Sequence, residues 1–306
     1  MITGANGQIG KVLTERLRKI YGNDNVLATD IKPDGNQNGP FEVLDILDSG
    51  RLKEIAQDYK ATQIYHLAAL LSATGEADPL KTWAINHDAF IQILEMGKTS
   101  IFNRIFFPST IAVFGHTTPR SQTPQDSPLL PTTVYGISKS TGELWCNYYH
   151  QRYGVDVRSL RYPGIIGWQS MPGGGTTDYA VEIFYAALAT GKYECFLSAR
   201  TRLPMMYMDD AIKATIQLME AENDQIKIRY GYNLAAMSFS PEEIAAEIKK
   251  HISEFEITYK PDFRQAIADS WTESIDDSKA RLDWAWCPDF DLPKMTSEML
   301  FHLKNK

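Results

Sequence analysis

Short apolar runs alternate with amphipathic stretches over the first 160 residues of the sequence. Apolar residues at Leu13, Leu17 and Ile20 recur at helical spacing after a glycine-rich opening, and an apolar run at 26–29 follows a polar turn. The same alternation predicts further strands at 41–44, 63–69, 104–107 and 155–160, and helices at about 48–59, 79–99 and 134–153. Strands that alternate with helices in this way are typical of an α/β fold built on a Rossmann-type doubly wound parallel sheet.

Three glycines open the chain where a strand would pass into a helix. Gly4, Gly7 and Gly10 form a G-x-x-G-x-x-G turn, and Asp30 follows the next predicted strand, 20 residues after Gly10. Such glycines let a dinucleotide pyrophosphate approach the N–H groups of a helix N-terminus, and the acid accepts hydrogen bonds from the ribose hydroxyls. Because an acid disfavours a 2'-phosphate, the motif predicts NAD rather than NADP. Only three residues precede Gly4, which predicts a shortened first strand.

The pattern loosens after Pro163 and predicts a smaller α/β substrate-binding lobe. A glycine run at 173–175 precedes an amphipathic helix, and Ser240 with Glu243 forms a capping-box signal before another helix. Other predicted elements are strands at 205–208 and 232–234, and a helix that Asp209 caps and that runs to about Glu220. The resulting domain prediction assigns residues 1–166, with about 203–236, to an NAD-binding Rossmann domain and residues 167–202 and 237–306 to the substrate-binding lobe.

Tyr135 and Lys139 are four residues apart in the predicted helix at 134–153, so their side chains share one face. An unperturbed tyrosine titrates at about 10, and a neighbouring ammonium favours the phenolate, which can then take a proton near neutral pH. We therefore expect Lys139 to lower the pKa of Tyr135. Taken alone, this spacing is far more typical of a solvated helix face, and the catalytic interpretation depends on the cofactor motif and on Thr110 upstream.

Composition and charge disfavour membrane proteins, nucleic-acid-binding proteins and metal-binding proteins. The chain has 306 residues, a hydrophobic fraction of 43% and a formal net charge of −7, which is typical of a soluble globular protein and disfavours a nucleic acid as partner. We find no apolar run of membrane-spanning length and no signal-peptide pattern, and we expect a cytoplasmic protein that binds no membrane. Three distant cysteines and six histidines without helical pairing indicate reduced thiols and no metal site.

The motifs together resemble the extended short-chain dehydrogenase/reductases, which belong to an NAD-dependent epimerase/dehydratase-like superfamily. The resemblance extends over nearly the whole chain and rests on residues 3–10, 66–69, 108–110, 113–115, 135–139, 161–164 and 275–281. Within this class, residues 69–76, 173–180 and 262–271 are similar to the zinc-independent L-threonine 3-dehydrogenases.

This resemblance implies a homodimer that oxidises the 3-hydroxyl of L-threonine with NAD and forms 2-amino-3-oxobutanoate. Tyr135 would act as general base, Lys139 would also bind the nicotinamide ribose, and Thr110 would hydrogen-bond the reacting oxygen, although Ser109 could take that role. The implied cofactor-binding residues are Gly4, Gly7, Gln8, Ile9, Asp30, Asp45, Ile46, Leu67, Ala68, Ala69, Asn86, Pro108, Tyr135, Lys139, Tyr162 and Ile165.

The resemblance also suggests which side chains bind the substrate. Besides Thr110 and Tyr135, the candidates are Ser72, Thr177 and Trp271, whose hydroxyls and indole can donate hydrogen bonds to a carboxylate. Loop capping by the two hydroxyls and core packing of the indole are alternative roles. The loop at 173–177 could close over the substrate, because a glycine run absorbs large backbone changes.

Two other functions remain open from the sequence. A nucleotide-sugar epimerase/dehydratase would use the same cofactor and the same Tyr–Lys pair, but it would need a larger cleft with basic groups for a diphosphate. An NAD-sensing regulatory protein would have a dormant site, which the intact set of Thr110, Tyr135 and Lys139 disfavours.

Overall fold

A seven-stranded parallel sheet forms the centre of the protein in a computed structural model that describes residues 1–33, 38–171 and 173–306. Its strand order is β10-β6-β5-β4-β1-β2-β3. The strands of the protein are β1 (Ile2–Thr3), β2 (Ala28–Asp30), β3 (Phe41–Val43), β4 (Gln63–His66), β5 (Arg104–Thr110), β6 (Val157–Tyr162), β7 (Gly164–Ile166), β8 (Lys192–Cys195), β9 (Leu203–Tyr207), β10 (Tyr232–Asn233), β11 (Met237–Phe239) and β12 (Glu256–Tyr259).

Helices cover both faces of this sheet. They are α1 (Gln8–Tyr21), α2 (Ser49–Asp58), α3 (Ser72–Gly75), α4 (Pro79–Trp83), α5 (Ala89–Lys98), α6 (Val134–Tyr153), α7 (Tyr179–Ala189), α8 (Met208–Glu220), α9 (Pro241–Lys249), α10 (Arg264–Asp269), α11 (Ser278–Trp284) and α12 (Leu292–Lys304). A π-helical turn at Ala84–Asp88 joins α4 to α5, and short 3₁₀ turns occur at Asn23–Asn25 and Ile111–Val113.

The alternation of side chains along β5 explains how the layers pack. Ile105 and Phe107 point to the side covered by α2, α5 and α6, whereas Phe106 packs on the opposite side with α1 and α8. Successive residues of a strand face opposite sides of a sheet, so a continuous apolar run suits a strand that is covered on both faces. The predicted doubly wound parallel sheet is confirmed.

A second core joins the later part of the chain. Strands β7, β9 and β11 form a three-stranded sheet, and β8 pairs with β12. This core packs these strands with α7, α9 and α12. The predicted boundaries would divide the three-stranded sheet, since β7 and β9 fall in the first predicted region and β11 in the second. Those domain boundaries remain a prediction.

Several elements differ from their sequence predictions. Strand β5 continues through Pro108 to Thr110 instead of ending at residue 107, and the helix expected at 79–99 contains the π-turn. Asp209 does not cap α8, because Tyr207 occupies the N-cap and Asp209 lies in the first turn. The capping box of Ser240 and Glu243 is confirmed. Strand β1 contains two residues and pairs with both β2 and β4.

Candidate active site

Two adjoining cavities lie at the carboxyl edge of the large sheet. The first has a volume of about 260 Å³ and the second about 320 Å³, and both contact the glycine turn. The first brings together predicted site residues from all along the chain: Gly4, Gly7, Gln8, Ile9, Leu67, Ala69, Ser72, Pro108, Thr110, Tyr135, Lys139, Tyr162, Ile165, Thr177 and Trp271. The second contains Gly4, Gly7, Asp30, Asp45, Ile46, Leu67, Ala68 and Ala69.

The glycine turn closely matches the requirements of a dinucleotide pyrophosphate. Gly4 has φ +68°, and a Cβ there would lie 2.6 Å from the backbone nitrogen of Ala68. A Cβ at Gly10 would overlap the carbonyl oxygen of Gly4. Helix α1 begins after Gly7 with no side-chain cap and no acid in its first turn. The first backbone N–H groups of α1 can therefore bind an anion such as a phosphate, and the positive end of the helix dipole favours a negative charge there.

Asp30 ends β2 and is held in a defined orientation at the second cavity. Its carboxylate oxygens accept hydrogen bonds from the backbone N–H groups of Asn6, at 3.0 Å, and Lys32, at 3.2 Å. A carboxylate accepts more than two hydrogen bonds, so Asp30 retains capacity for ribose hydroxyls. Together with the glycine turn, this residue fits the adenosine half of NAD.

Tyr135 meets Thr110 because the start of α6 packs tightly against the end of β5. Thr133 caps the helix by accepting from the backbone N–H of Gly136 at 3.1 Å. A Cβ at Gly136 would overlap the carbonyl oxygen of Ala112, so only glycine permits this approach. Tyr135 and Thr110 line the same cavity, and the Thr110 hydroxyl acts to lower the pKa of Tyr135. Thr110 also accepts from the backbone N–H of Ala112 at 3.2 Å.

Ser109, the alternative to Thr110, points elsewhere. Its hydroxyl donates a hydrogen bond of 2.5 Å to the carboxylate of Glu143, and its side chain is buried. In the structure, therefore, Thr110 is the hydroxyl that faces the phenol of Tyr135.

The pKa values of the pair differ from the sequence expectation. Burial raises the pKa of Tyr135 to about 12, against the opposing effect of the Thr110 hydroxyl. Burial lowers the pKa of Lys139 to about 7, because the low-polarity surroundings disfavour its charge. The expected lowering of the pKa of Tyr135 by Lys139 is therefore wrong. The Lys139 nitrogen lies 4.6 Å from the ring centroid of Phe107 and 5.9 Å from that of Tyr135.

The predicted substrate residues converge on the first cavity from three segments. Ser72 and Trp271 are largely buried, with exposures of 5% and 6%, and Thr177 is partly exposed. All three line the cavity with Tyr135. They combine hydroxyl and indole donors around the phenol, an arrangement that suits a small polar substrate.

Thr176 and Asp178, which follow the glycine run at 173–175, line the same cavity and were missed by the sequence predictions. The Thr176 hydroxyl is buried and has no hydrogen-bond partner among the described residues. The Asp178 carboxylate accepts from the backbone N–H groups of Gly174, at 2.7 Å, and Gly175, at 2.6 Å, and burial raises the pKa of Asp178. An acid three residues after the glycine run at 173–175 was the available signal for Asp178. In the second cavity, Lys81 was missed as well.

Asn86 is placed differently from the other predicted cofactor residues. It lies in the π-helical turn and is absent from the walls of both cavities. Its side chain accepts from the backbone N–H of Leu70 at 2.8 Å and donates to the carbonyl oxygen of Leu70 at 2.9 Å. In this structure, therefore, Asn86 holds the loop that leads to Ser72.

The described residues contain no group of three or more His, Cys, Asp or Glu side chains that could hold a metal ion. The three cysteines, Cys146, Cys195 and Cys287, are free thiols. None of the described helices has the length and apolar character needed to cross a bilayer.

Comparison with known proteins identifies the family. The model of the NAD dependent epimerase/dehydratase family matches residues 1–235. An uncharacterized epimerase/dehydratase of Staphylococcus haemolyticus is 50% identical, with 100% of this chain and 98% of the relative covered.

Solved structures are similar over the full length. A partial consensus L-threonine 3-dehydrogenase is 52% identical with a TM-score of 0.98, covering 100% of this chain and 99% of that one. The holo form of a GalE-like L-threonine dehydrogenase from Cupriavidus necator is 50% identical with a TM-score of 0.97, covering 99% and 98%. A monomeric L-threonine 3-dehydrogenase from a metagenome database is 48% identical with a TM-score of 0.96, covering 99% and 98%.

These matches confirm the resemblance found in the motifs, and the fit of the glycine turn and Asp30 agrees with the predicted cofactor, NAD. The chain belongs to the NAD dependent epimerase/dehydratase family.

Proposed function

We propose that this protein oxidises the 3-hydroxyl of L-threonine with NAD to give 2-amino-3-oxobutanoate and NADH. The observation that carries the proposal is the placement of Tyr135, Thr110 and Lys139 together in a small cavity shared with the glycine turn. Similar structures described as L-threonine 3-dehydrogenases, at 48% to 52% identity, support the choice of substrate.

The chemistry assigns a separate role to each side chain. Tyr135 takes the proton of the 3-hydroxyl while the C3–H bond breaks, and Thr110 hydrogen-bonds the same oxygen and keeps it beside the phenol. When bound, oxidised NAD accepts the hydride and brings a positive charge to the site. Lys139 adds its own charge when protonated. The charge of a protonated Lys139 would favour the phenolate form of Tyr135 in the reaction, against the burial that raises its pKa.

The charges of the cavity suit a small zwitterion. Lys139 and Asp178 are the charged residues among those that line it. In our proposal Asp178 attracts the substrate ammonium, while Ser72, Thr177 and Trp271 donate hydrogen bonds to the carboxylate. Closure of the loop at 173–177 over the substrate would exclude water during the reaction.

The proposed NAD site follows the two cavities. Its residues are Gly4, Gly7, Gln8, Ile9, Asp30, Asp45, Ile46, Leu67, Ala68, Ala69, Pro108, Tyr135, Lys139, Tyr162 and Ile165, with Asn86 acting through Leu70. In this proposal residues 1–166 and about 203–236 bind the cofactor, and residues 167–202 and 237–306 cover the substrate.

The charges that line the first cavity favour L-threonine over a nucleotide sugar as the substrate. A diphosphate ligand requires several basic groups, whereas Lys139 is the one cation among the residues lining the first cavity. L-threonine, which needs no such cluster of cations, therefore fits this cavity better than a nucleotide sugar.

An NADH absorbance assay tests the proposed function. We expect stoichiometric NADH from NAD and L-threonine, with much less from 3-hydroxybutanoate and none from UDP-galactose. The substitution Tyr135→Phe should lower turnover by at least about 100-fold and leave NAD affinity nearly unchanged, because only the proton acceptor is lost. Tyr149→Phe, on the same helix but outside the cavity, is the matched control and should remain active. Interconversion of UDP-sugars without NADH release would contradict the proposal.

We further propose that the protein forms a homodimer through the outer face of α6. This face exposes Ile137 by 43%, Leu144 by 67% and Tyr148 by 46%, and Leu80 nearby in α4 is exposed by 84%. Positions 137, 144 and 148 follow helical spacing and form an apolar stripe, which is typical of a helix that packs against a partner. The free thiols agree with a cytoplasmic location, which we also propose.

Analytical ultracentrifugation tests the dimer. Leu144→Glu should convert a dimer into monomers, because it places a charge in the centre of the apolar stripe. Leu282→Glu is the control, since Leu282 is 80% exposed on α11, outside the proposed interface. A wild-type monomer at micromolar concentration would refute this assembly.

A further inference from the structure

A buried carboxylate lies one helical turn beyond Lys139. Glu143 is 1% exposed, and its side chain binds two neighbouring strands at once. One oxygen accepts from the Ser109 hydroxyl at 2.5 Å and from Arg161 Nε at 2.9 Å, and the other accepts from Arg161 Nη2 at 2.8 Å. Glu143 thus connects α6 to β5 and β6 through three directional contacts.

The two strand residues are register partners. Ser109 pairs with Arg161 across β5 and β6, and the next pair along the strands is Thr110 with Tyr162. Glu143 therefore binds the sheet at Ser109 and Arg161, one residue before Thr110, whose hydroxyl faces the cavity. Any shift of α6 relative to this point changes the separation of Tyr135 and Thr110.

Arg161 has fixed partners on its other side as well. Its Nη1 donates to the carbonyl oxygen of Gln125 at 2.9 Å and to Asn233 Oδ1 at 3.0 Å. Asn233 in turn donates to the carbonyl oxygens of Thr123 and Asp276. With partners on every side, the guanidinium offers Glu143 a rigid point of attachment.

The backbone of α6 lies close to its neighbours at two glycines. A Cβ at Gly136 would overlap Ala112, just after β5, and one at Gly142 would overlap the ring of Phe107 in β5. Cys146 and Tyr149 of α6 also pack with Phe107 in one apolar cluster. These apolar contacts are not directional, and Glu143 adds directional hydrogen bonds to β5 and β6.

We propose that Glu143 is a positioning residue that fixes the register of α6 against β5, and thereby holds the Tyr135 phenol against the Thr110 hydroxyl. This inference rests on the proposed function for its kinetic test. Buried ion pairs contribute little net stability because desolvation of both charges offsets their attraction. We therefore expect this ion pair to act mainly by fixing the position of α6. Small displacements of reacting groups lower the reaction rate strongly.

The test is the substitution Glu143→Gln, compared with Asp156→Asn. Asp156 binds Arg104, Arg158 and Arg229 near the start of β6, away from both cavities, and serves as the matched control for loss of a partly buried ion pair. We expect Glu143→Gln to lower kcat per folded site by about 10- to 100-fold, with NAD affinity changed less than about twofold. Asp156→Asn should lower Tm with kcat unchanged. Folded sites are counted by NADH binding.

Equal kcat per folded site in Glu143→Gln and the wild type would overturn the proposal, as would a matching loss of kcat in Asp156→Asn. If Glu143→Gln does not fold, Ser109→Ala removes one contact and keeps the ion pair. It should lower kcat by about fivefold, from the loss of one hydrogen bond. An unchanged kcat would then refute the inference.

A crystal structure of the folded variant provides a readout that does not depend on L-threonine. We expect the distance between the hydroxyl oxygens of Tyr135 and Thr110 to differ from that in a crystal structure of the wild type, and an unchanged distance would refute the positioning role. If the wild type produced no NADH from L-threonine, the proposed function would fail, while this structural comparison would still decide the role of Glu143.

Discussion

Replacing Lys139 by methionine should make the protein more stable and inactive at the same time. Lys139 is 2% exposed, and among the described residues no carboxylate lies within ion-pair distance of its ammonium. Methionine has a similar length and no charge, so it fills the same space without the cost of desolvation.

The lowered pKa gives the magnitude of this cost. A change from 10.5 to about 7 corresponds to about 5 kcal/mol, at about 1.4 kcal/mol for each pH unit. The lost contact between the ammonium and the Phe107 ring offsets about 1 kcal/mol of the gain. We therefore expect Lys139→Met to raise the free energy of unfolding by about 4 kcal/mol at pH 7.

The gain should depend on pH with a defined sign. Between pH 7 and 10.5 the unfolded lysine binds a proton that the folded lysine has released, so the stability of the wild type rises with pH in this range. The variant lacks this group. Its advantage should be largest below pH 7 and should decrease by about 1.4 kcal/mol for each pH unit above 7.

Urea unfolding of both proteins at pH 7, 8 and 9 measures this difference directly. Groups such as His66, whose pKa burial and then Lys139 lower to about 3, titrate outside this range. A stability difference independent of pH, or a variant less stable than the wild type at pH 7, would refute the argument. The variant should also lose turnover, because the charge that stabilises the phenolate is gone.

Two further substitutions test the cofactor turn and the substrate pocket. Gly10→Ala should weaken NAD binding at least tenfold and lower the free energy of unfolding by about 1–3 kcal/mol, because the added Cβ would overlap backbone atoms. Isothermal titration calorimetry measures the affinity for NAD. The control is Gly50→Ala, whose Cβ would meet only the Asp48 side chain at 3.4 Å. Asp178→Asn should raise KM for L-threonine by about 10-fold, from the loss of a charged hydrogen bond, without changing KM for 3-hydroxybutanoate, which lacks the ammonium. Equal changes for both substrates would indicate that Asp178 only holds the loop.

The features predicted well from sequence depend on local spacing. Gly4 and Gly10 have to fit a fixed turn geometry, Asp30 must follow the second strand, and Tyr135 and Lys139 share one face of a helix whose ends matched the prediction. These relations are set by a few neighbouring residues, so the sequence contains them directly.

The missed features depend on tertiary packing. The direction of the pKa shift at Tyr135 follows from burial, which no spacing shows. The sequence predicts that β5 ends at residue 107, yet the strand continues through Pro108 in register with β6. The contact of Glu143 with Arg161 joins a helix to a strand 18 residues later, and Asp178 acquires its place in the cavity only when the loop folds.

The π-helical turn at Ala84–Asp88 has a local purpose that its sequence position makes clear. A π-turn contains one residue more than the α-helical path it replaces. Deleting that residue would restore regular helix geometry, and Phe90, Ile93 and Leu94 after the turn would still face the core. Asn86 lies within the turn itself, so the deletion would disturb its two hydrogen bonds with Leu70. The extra residue therefore serves the loop that leads to Ser72, and the core does not depend on it.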